Sequence, residues 1–228
     1  HSYCFVCHQW TAADGVVVNH HHPMSYVTYE GQATRLKNRG LSEKTCQKYH
    51  ILKDGKILRF YYHDKTGRPV GAKTKTTNKI FSYEGETDGT FFGQHLFPDS
   101  GKRVVITEGE LDASSCWEVM EGWPMVSLPT GAASAKKSVQ KNLQWLQGYE
   151  EIVLFFDNDE AGIHASQEAA SVLPPGKVKI ARLTAYKDAS DALQANDADA
   201  IRRAIWDAKP FRPDGIVDGK SLLEIVTT

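Results

Sequence analysis

The sequence predicts an α/β protein: a mostly parallel sheet flanked by helices, preceded by a small α+β antiparallel-sheet subdomain and a partial zinc ribbon. Three observations predict it. Apolar runs such as Val104-Val105-Ile106 and Ile152-Val153-Leu154-Phe155-Phe156 are continuous rather than alternating, the pattern of strands buried on both faces. From residue 101 onward such runs alternate with helix-like stretches, which implies right-handed crossovers and a parallel sheet. Before residue 100 the runs are broken by Asp54-Gly55 and Thr66-Gly67, the turn residues of antiparallel hairpins.

In chain order, residues 1–13 contain Cys4-Phe5-Val6-Cys7, a C-x-x-C knuckle that offers two thiolates to a tetrahedral zinc. Cys46 and Cys116 are isolated, so either His1 and His8 complete the site, or this is the closing half of a ribbon, or the thiols are simply packed. Residues 14–23, with His20-His21-His22, lack periodicity and read as a linker. From 24 to about 49 the pattern is helical, with Ser42 and Thr45 capping a short helix over 41–47. Strands follow near 51–53, 56–62 and 68–75. They carry Arg59, Lys73, Lys75 and Lys79 among Phe60, Tyr61, Tyr62 and Phe81, the mixture of cations and rings suited to phosphates and bases, or alternatively an ordinary half-exposed sheet.

The second half places strands at 103–107, 125–128, 151–156 and 177–183 and helices at 111–121, 134–146 and 161–173, with short helices reaching 208. This gives units at 24–97 and 98–209, and a tail, 210–228, that reads as a linker. Within the tail, Asp214 to Ser221 imitates a G-x-x-x-x-G-K-S phosphate loop. It lacks the first glycine, the preceding strand and the following helix that such a loop requires.

The net charge of −1 conceals a basic half, with 13 Lys/Arg against 9 Asp/Glu in residues 1–100, and an acidic one, with 14 against 19 in residues 101–228. That division suits a polyanion held against a carboxylate-bound cation. Four cysteines make no disulfide framework in 228 residues, which points to a reducing, cytoplasmic setting. No apolar run approaches the roughly 18 to 20 residues of a membrane span, so no membrane partner is expected.

The chemistry concentrates in carboxylates just after strands, where α/β sheets bind ligands. Glu108 and Asp112 are one helical turn apart, Asp157 and Asp159 two residues apart, and Asp188 follows the next apolar run. Clustered carboxylates raise one another's pKa unless cations neutralise them. Hard oxygen donors suit Mg2+ or Mn2+, and two such ions ~4 Å apart form the clamp for in-line attack at phosphorus. Glu108, Asp157 and Asp159 are the candidate catalytic residues. Between the acidic motifs, Gly131, Ser134 and Lys136 stand in a small-residue turn entering a helix, a place for backbone amides to meet a phosphate.

These motifs carry a family resemblance. E-G-x-x-D at 108–112, followed by D-x-D-x-x-G at 157–162, resembles the topoisomerase-primase (TOPRIM) catalytic fold. With C-x-V-C-x-x-W-T, L-S-x-K-T-C-Q-K, F-G-x-H-L and K-D-A, the chain is similar over nearly its whole length to the primase half of the T7-like bacteriophage primase-helicases. The resemblance implies a DNA-dependent RNA primase that joins ribonucleoside triphosphates into short RNA primers on single-stranded DNA and passes them to a DNA polymerase. It implies a metal site of Glu108, Asp112, Asp157, Asp159 and Asp188, with Glu108 also a general base, and a triphosphate and template strand bearing Lys73, Lys75 and Lys79. Cys4 and Cys7 match the second pair of the family's zinc ribbon, so Zn2+ is expected only where the ribbon is complete. The first pair and the helicase half are not in this sequence, and Ser82-Tyr83-Glu84 stands where the family has a further basic residue. A metal-dependent nuclease on the same fold, or a non-catalytic DNA-binding module, is the competing expectation.

Overall fold

A computed structural model describes residues 26–78, 80–87 and 89–212, together with backbone strands at 2–4, 9–11 and 17–18. Strands β1 (Ser2–Cys4), β2 (Gln9–Thr11) and β3 (Val17–Val18) form a small antiparallel sheet. β3 falls inside the stretch read as a linker. The Cys4 side chain, Cys7, the three consecutive histidines, Lys79 and residues 213–228 lie outside the described residues.

The helical expectation for 24–49 holds only at its end. A 3-10 turn covers Lys37–Arg39, and α1 covers Glu43–Lys48. Gly31 and Gly40 adopt φ of 94° and 69°, which a right-handed helix cannot contain, and Gln32 instead pairs with Lys53. Ser42 caps α1 as expected, its side chain accepting the Thr45 N–H. Glu118 accepts from the Ser42 N–H at 3.0 Å and the Ser42 hydroxyl at 2.8 Å, tying this end to the second half of the chain.

Strands β4 (Ile51–Asp54), β5 (Ile57–His63), β6 (Pro69–Thr76) and β7 (Phe81–Gly85) form an antiparallel meander. The Asp54-Gly55 and Thr66-Gly67 turns separate strands as the sequence indicates. β7 is not legible as a separate strand, because all five residues are exposed and no buried face imposes alternation. Its register sets Tyr83 beside Lys73 and Phe81 beside Lys75.

The main sheet has the order β12-β11-β10-β8-β9. β8 (Gly101–Thr107), β9 (Met125–Ser127), β10 (Tyr149–Phe155) and β11 (Val178–Ile180) run parallel, and β12 (Lys209–Pro210) closes the edge antiparallel to β11. Side-chain alternation divides the core. Val105, Met125 and Val153 pack on one face with Leu111, Trp117, Ile201 and the Tyr49, Phe60 and Tyr62 rings of the first half. Val104, Ile106, Ile152 and Leu154 pack on the other with Val139, Trp145, Ala165 and Ala169.

The helices are α2 (Glu110–Val119), α3 (Ala135–Lys141), α4 (Leu143–Gln147), α5 (Glu160–Ala170), α6 (Ala189–Gln194) and α7 (Ala198–Trp206). The single helix expected over 134–146 is two, separated at Asn142, whose side-chain amide donates to the Ser138 carbonyl at 2.9 Å. Because the antiparallel meander packs on the α2 face, its β5 and β6 lie over the carboxyl ends of β8 and β10. A cleft opens between them.

Candidate functional site: an acidic cleft faced by lysines

The cleft has a volume of about 230 Å³ and is lined by Glu108, Asp112, Asp157 and Asp188 on one side and by Lys73, Lys75 and Arg39 on the other. Glu108 comes immediately after β8 and Asp157 two residues after β10. Asp112 is in the first turn of α2, and Asp188 caps α6, accepting the Asp191 N–H at 2.7 Å. Four strand or helix ends thus deliver four carboxylates to one place. Gly162 makes the close approach possible: a Cβ there would lie 2.3 Å from the Asp157 carbonyl oxygen, so α5 can start beside Asp157 only with glycine.

Burial and mutual repulsion set the charge state. Asp112 is nearly buried, and desolvation followed by the Asp188 charge raises its pKa well above the carboxylate range, against the opposing effect of the Ser190 N–H at 2.9 Å. Desolvation and the Asp157 charge push Glu108 up, partly offset by the backbone N–H groups of Ala132 and Asp157. Desolvation also raises Asp157, although Lys187 at 3.1 Å pulls it down. Glu108 Oε2 is buried without a hydrogen-bond partner.

Asp159 is different. It does not line the cleft; it caps α5, accepting the Gly162 N–H at 2.9 Å, and pairs with Lys187 at 3.2 Å. The Gly162 hydrogen bond holds its pKa below the usual value.

On the basic side, Lys73 is not a free cation. Its Nζ lies 2.8 Å from Glu110 Oε1, and the Tyr62 hydroxyl donates to the same oxygen at 2.5 Å. Glu110 is therefore a buried partner rather than a surface carboxylate at a helix start. Lys75 has no ion-pair partner among the described residues; burial and the nearby Arg39 lower its pKa. Phe81 lies 5.3 Å from Lys73 Nζ and 5.4 Å from Lys75 Nζ and is itself 45% exposed, so its ring is available to a ligand.

The small-residue turn divides. Gly131 lines the cleft at φ 74°, with Glu108 Oε1 3.9 Å from where its Cβ would be. The structure does not bring Ser134 and Lys136 there. The 3-10 turn Ala132–Ser134 directs the Ser134 hydroxyl onto Thr130 and the Gly131 carbonyl, and Lys136 projects from α3 into a separate cavity with His164 and Lys209. Sequence reasoning missed Arg39 and Lys187. Lys187 was within reach, as it begins the K-D-A motif; Arg39 lies in an aperiodic turn and carries no local signal.

A strand-end carboxylate cluster on a parallel sheet defines a class, and residues 105–193 match the Toprim-like family. The structure is similar to the crystal structure of the primase fragment of the bacteriophage T7 primase-helicase protein, with 34% identity, TM-score 0.74 and 90% of each chain covered. A second likeness, at 35% identity and TM-score 0.75, covers 82% of this chain and all of a chain from a T7 complex. That complex is described as a lagging-strand DNA polymerase interacting with primase domains bound to an RNA/DNA hybrid and dTTP. In sequence the chain is 36% identical to the DNA helicase/primase of Enterobacteria phage T3, covering 99% of this chain and 43% of the T3 protein, so it spans less than half of that relative. The chain belongs to the T7-type phage primase family. Among the described residues no helix is long and apolar enough to cross a membrane.

Proposed function

We propose that this chain is the primer-synthesising part of a larger replication protein: a DNA-dependent RNA primase that joins ribonucleoside triphosphates on single-stranded DNA. The observation that carries this reading is the single cleft in which Glu108, Asp112, Asp157 and Asp188 face Lys73, Lys75 and Arg39. A polyphosphate needs cations to hold it, and the reacting centre needs carboxylates that hold Mg2+ or Mn2+. The donor set fits such an ion: every donor is a hard oxygen, Glu108 Oε2 is buried and unpartnered, and burial and Asp188 oppose the charged form of Asp112, which a divalent cation would favour. Glu108, Asp112, Asp157 and Asp188 would hold it, and Asp159 caps α5 beside them. When bound, it supplies Lewis-acid stabilisation of charge at the reacting phosphate.

The chain's own groups do the rest. Lys75 and Arg39 grip the triphosphate, Lys73 holds the cleft wall through Glu110, and Phe81 offers a face for a base. As a terminal 3′-hydroxyl attacks the α-phosphorus, the new O–P bond forms and the bond to pyrophosphate breaks. The raised affinity of Glu108 for a proton suits it to accept the one the hydroxyl loses. Next to the cleft runs a groove of about 650 Å³ lined by Arg35, Lys37, Arg39, Lys53, Lys56 and Lys75, with no carboxylate in its wall. It suits the phosphates of the template strand. The helicase portion and a DNA polymerase are the partners this reading assigns to the longer protein, and a soluble, cytoplasmic site of action goes with it.

The test is magnesium-dependent synthesis of oligoribonucleotides on single-stranded DNA, with preformed dinucleotides supplied so that initiation does not limit the result. Asp157→Ala should lower the rate at least about 100-fold with an unchanged circular dichroism spectrum. Full activity in that variant, or metal-dependent nicking of DNA without nucleotides, would overturn the reading.

A further inference from the structure

Three histidines that the carboxylate chemistry does not use converge where the two sheets meet. His50 follows α1, His63 ends β5, and His95 sits in the 3-10 turn Gln94–Leu96 that begins the connection into β8. Each ring offers one nitrogen, and the three lie within 4.8 Å of one another. His63 is only 3% exposed, yet its Nδ1 has no hydrogen-bond partner, and neither do the buried His50 Nδ1 and His95 Nε2. One unpaired buried nitrogen is already unfavourable. Three in a single cluster imply a group that accepts their lone pairs.

The surroundings favour the ligand form of each ring. Desolvation, then the neighbouring His95 and His50, push His63 down to about 3, and desolvation pushes His95 down to about 4, so the imidazoles are neutral at pH 7. The Tyr29 hydroxyl sits 2.7 Å from His63 Nε2, where it can accept that N–H and leave the lone pair on Nδ1, the outer arrangement that orients metal-binding imidazoles. Other groups near the cluster do not compete. Asp64 is engaged by Thr66 and Arg68; it and the Tyr61 carbonyl favour a protonated His63 but rank below desolvation and the two neighbouring histidines, and Lys48 opposes protonation of His95. The backbone is shaped to deliver the rings. His50 holds φ 51°, the β5–β6 register shifts between Tyr62 and His63, and Gly93 at φ 80° leads directly to the His95 turn.

We propose that His50, His63 and His95 form a binding site for one transition-metal ion of the zinc type, distinct from the carboxylate cleft, that clips together the meander and the connection into the parallel sheet. Three neutral imidazoles and no carboxylate suit Zn2+, Co2+, Ni2+ or Cu2+ and not Mg2+. Metal–nitrogen bonds of about 2.0 Å at tetrahedral angles set the nitrogens about 3.3 Å apart, with a water in the fourth position. The cluster would therefore contract, and the His63 and His95 rings, now stacked at 3.8 Å between centroids, would swing apart so that both lone pairs meet the ion.

The experiment uses the full 228-residue chain carrying Cys4→Ser, Cys7→Ser and Gln in place of His1, His8, His20, His21 and His22, which removes the knuckle thiols and the histidines around them. Titration with Co2+ should give one equivalent of tetrahedral d–d absorption without thiolate charge-transfer bands, and Zn2+ should displace it. In that background His95→Gln should weaken Co2+ binding at least about 10-fold, and His50→Gln provides the same reading should His95→Gln unfold by circular dichroism. Absence of saturable binding, octahedral spectra only, or equal affinity in the folded Gln variants would overturn the site.

Discussion

The carboxylate cleft and the histidine cluster lie on either side of β5 and are built on the same plan. Each gathers like titratable groups from three or four element ends into a poorly hydrated place. Their responses to burial are opposite in sign. Asp112, Glu108 and Asp157 are pushed up toward their neutral acid forms, and His50, His63 and His95 are pushed down toward their neutral base forms. Low dielectric opposes charge of either sign. The regions differ in compensation. The acidic side keeps cations in reach, with Lys187 on Asp157 and Asp159 and Lys73 on Glu110, whereas among the described residues no carboxylate forms an ion pair with the histidine cluster, which Tyr29 and the Tyr61 carbonyl border. A cleft that must hold charge during a reaction retains counter-ions, and a closed cluster simply discharges.

Breaking the compensation should give the largest effect on stability. Lys73→Met leaves Glu110 as a buried charge held by the Tyr62 hydroxyl and the less direct attraction of Lys75, and should destabilise the protein by about 3–5 kcal/mol in urea unfolding. Adding Glu110→Gln should recover most of that; no recovery would mean that Lys73 acts through packing alone.

A second contrast is in pH. Native histidine pKa values below the unfolded value bind fewer protons than the unfolded chain, so their stabilisation is complete above about 6.5 and is lost as pH falls toward about 4 and about 3. The slope approaches at most about 1.4 kcal/mol per pH unit for each proton taken up. His63→Gln should flatten the acid side of the stability profile between pH 6.5 and 4, and an unchanged slope would place the titration elsewhere.

The acidic cluster has the reverse sign. A carboxyl raised in the fold stabilises fully below its unfolded value near 4, and that contribution fades as pH rises through the native value. At pH 7 the metal-free protein therefore carries the cost. Asp112→Asn keeps an acceptor for the Ser190 N–H, removes that cost, and should stabilise the metal-free chain by about 1 kcal/mol, or about 2–4 °C in Tm. A lowered Tm would show that the carboxylate is needed for packing.

The legible parts of this molecule are local. Val104 to Thr107 and Ile152 to Phe155 announce buried strands by continuous apolarity, and Glu108, Asp112, Asp157 and Asp188 stand at their ends or at helix starts, so the acidic wall could be named from spacing alone. Where local signals were weak or shared, reading failed. The 24–49 stretch has apolar residues at helical intervals, but Gly31 and Gly40 divert it, and β7 has no buried face to betray it. Lys136 stands in the same small-residue turn as Gly131, yet the 3-10 turn between them sends it to another cavity.

The sequence by itself determined the strand and helix alternation, the family and the carboxylate wall, because burial and chain direction imprint a short period on nearby residues. Only the tertiary structure decided that Arg39 joins the cleft, that Lys73 is spent on Glu110, that Asp159 caps a helix beside the cleft rather than lining it, and that three histidines scattered from 50 to 95 share one place. Those outcomes depend on how the meander packs over α2. That packing is fixed by the summed burial of rings such as Tyr49, Phe60, Tyr62 and Phe92, and no spacing along the chain encodes it.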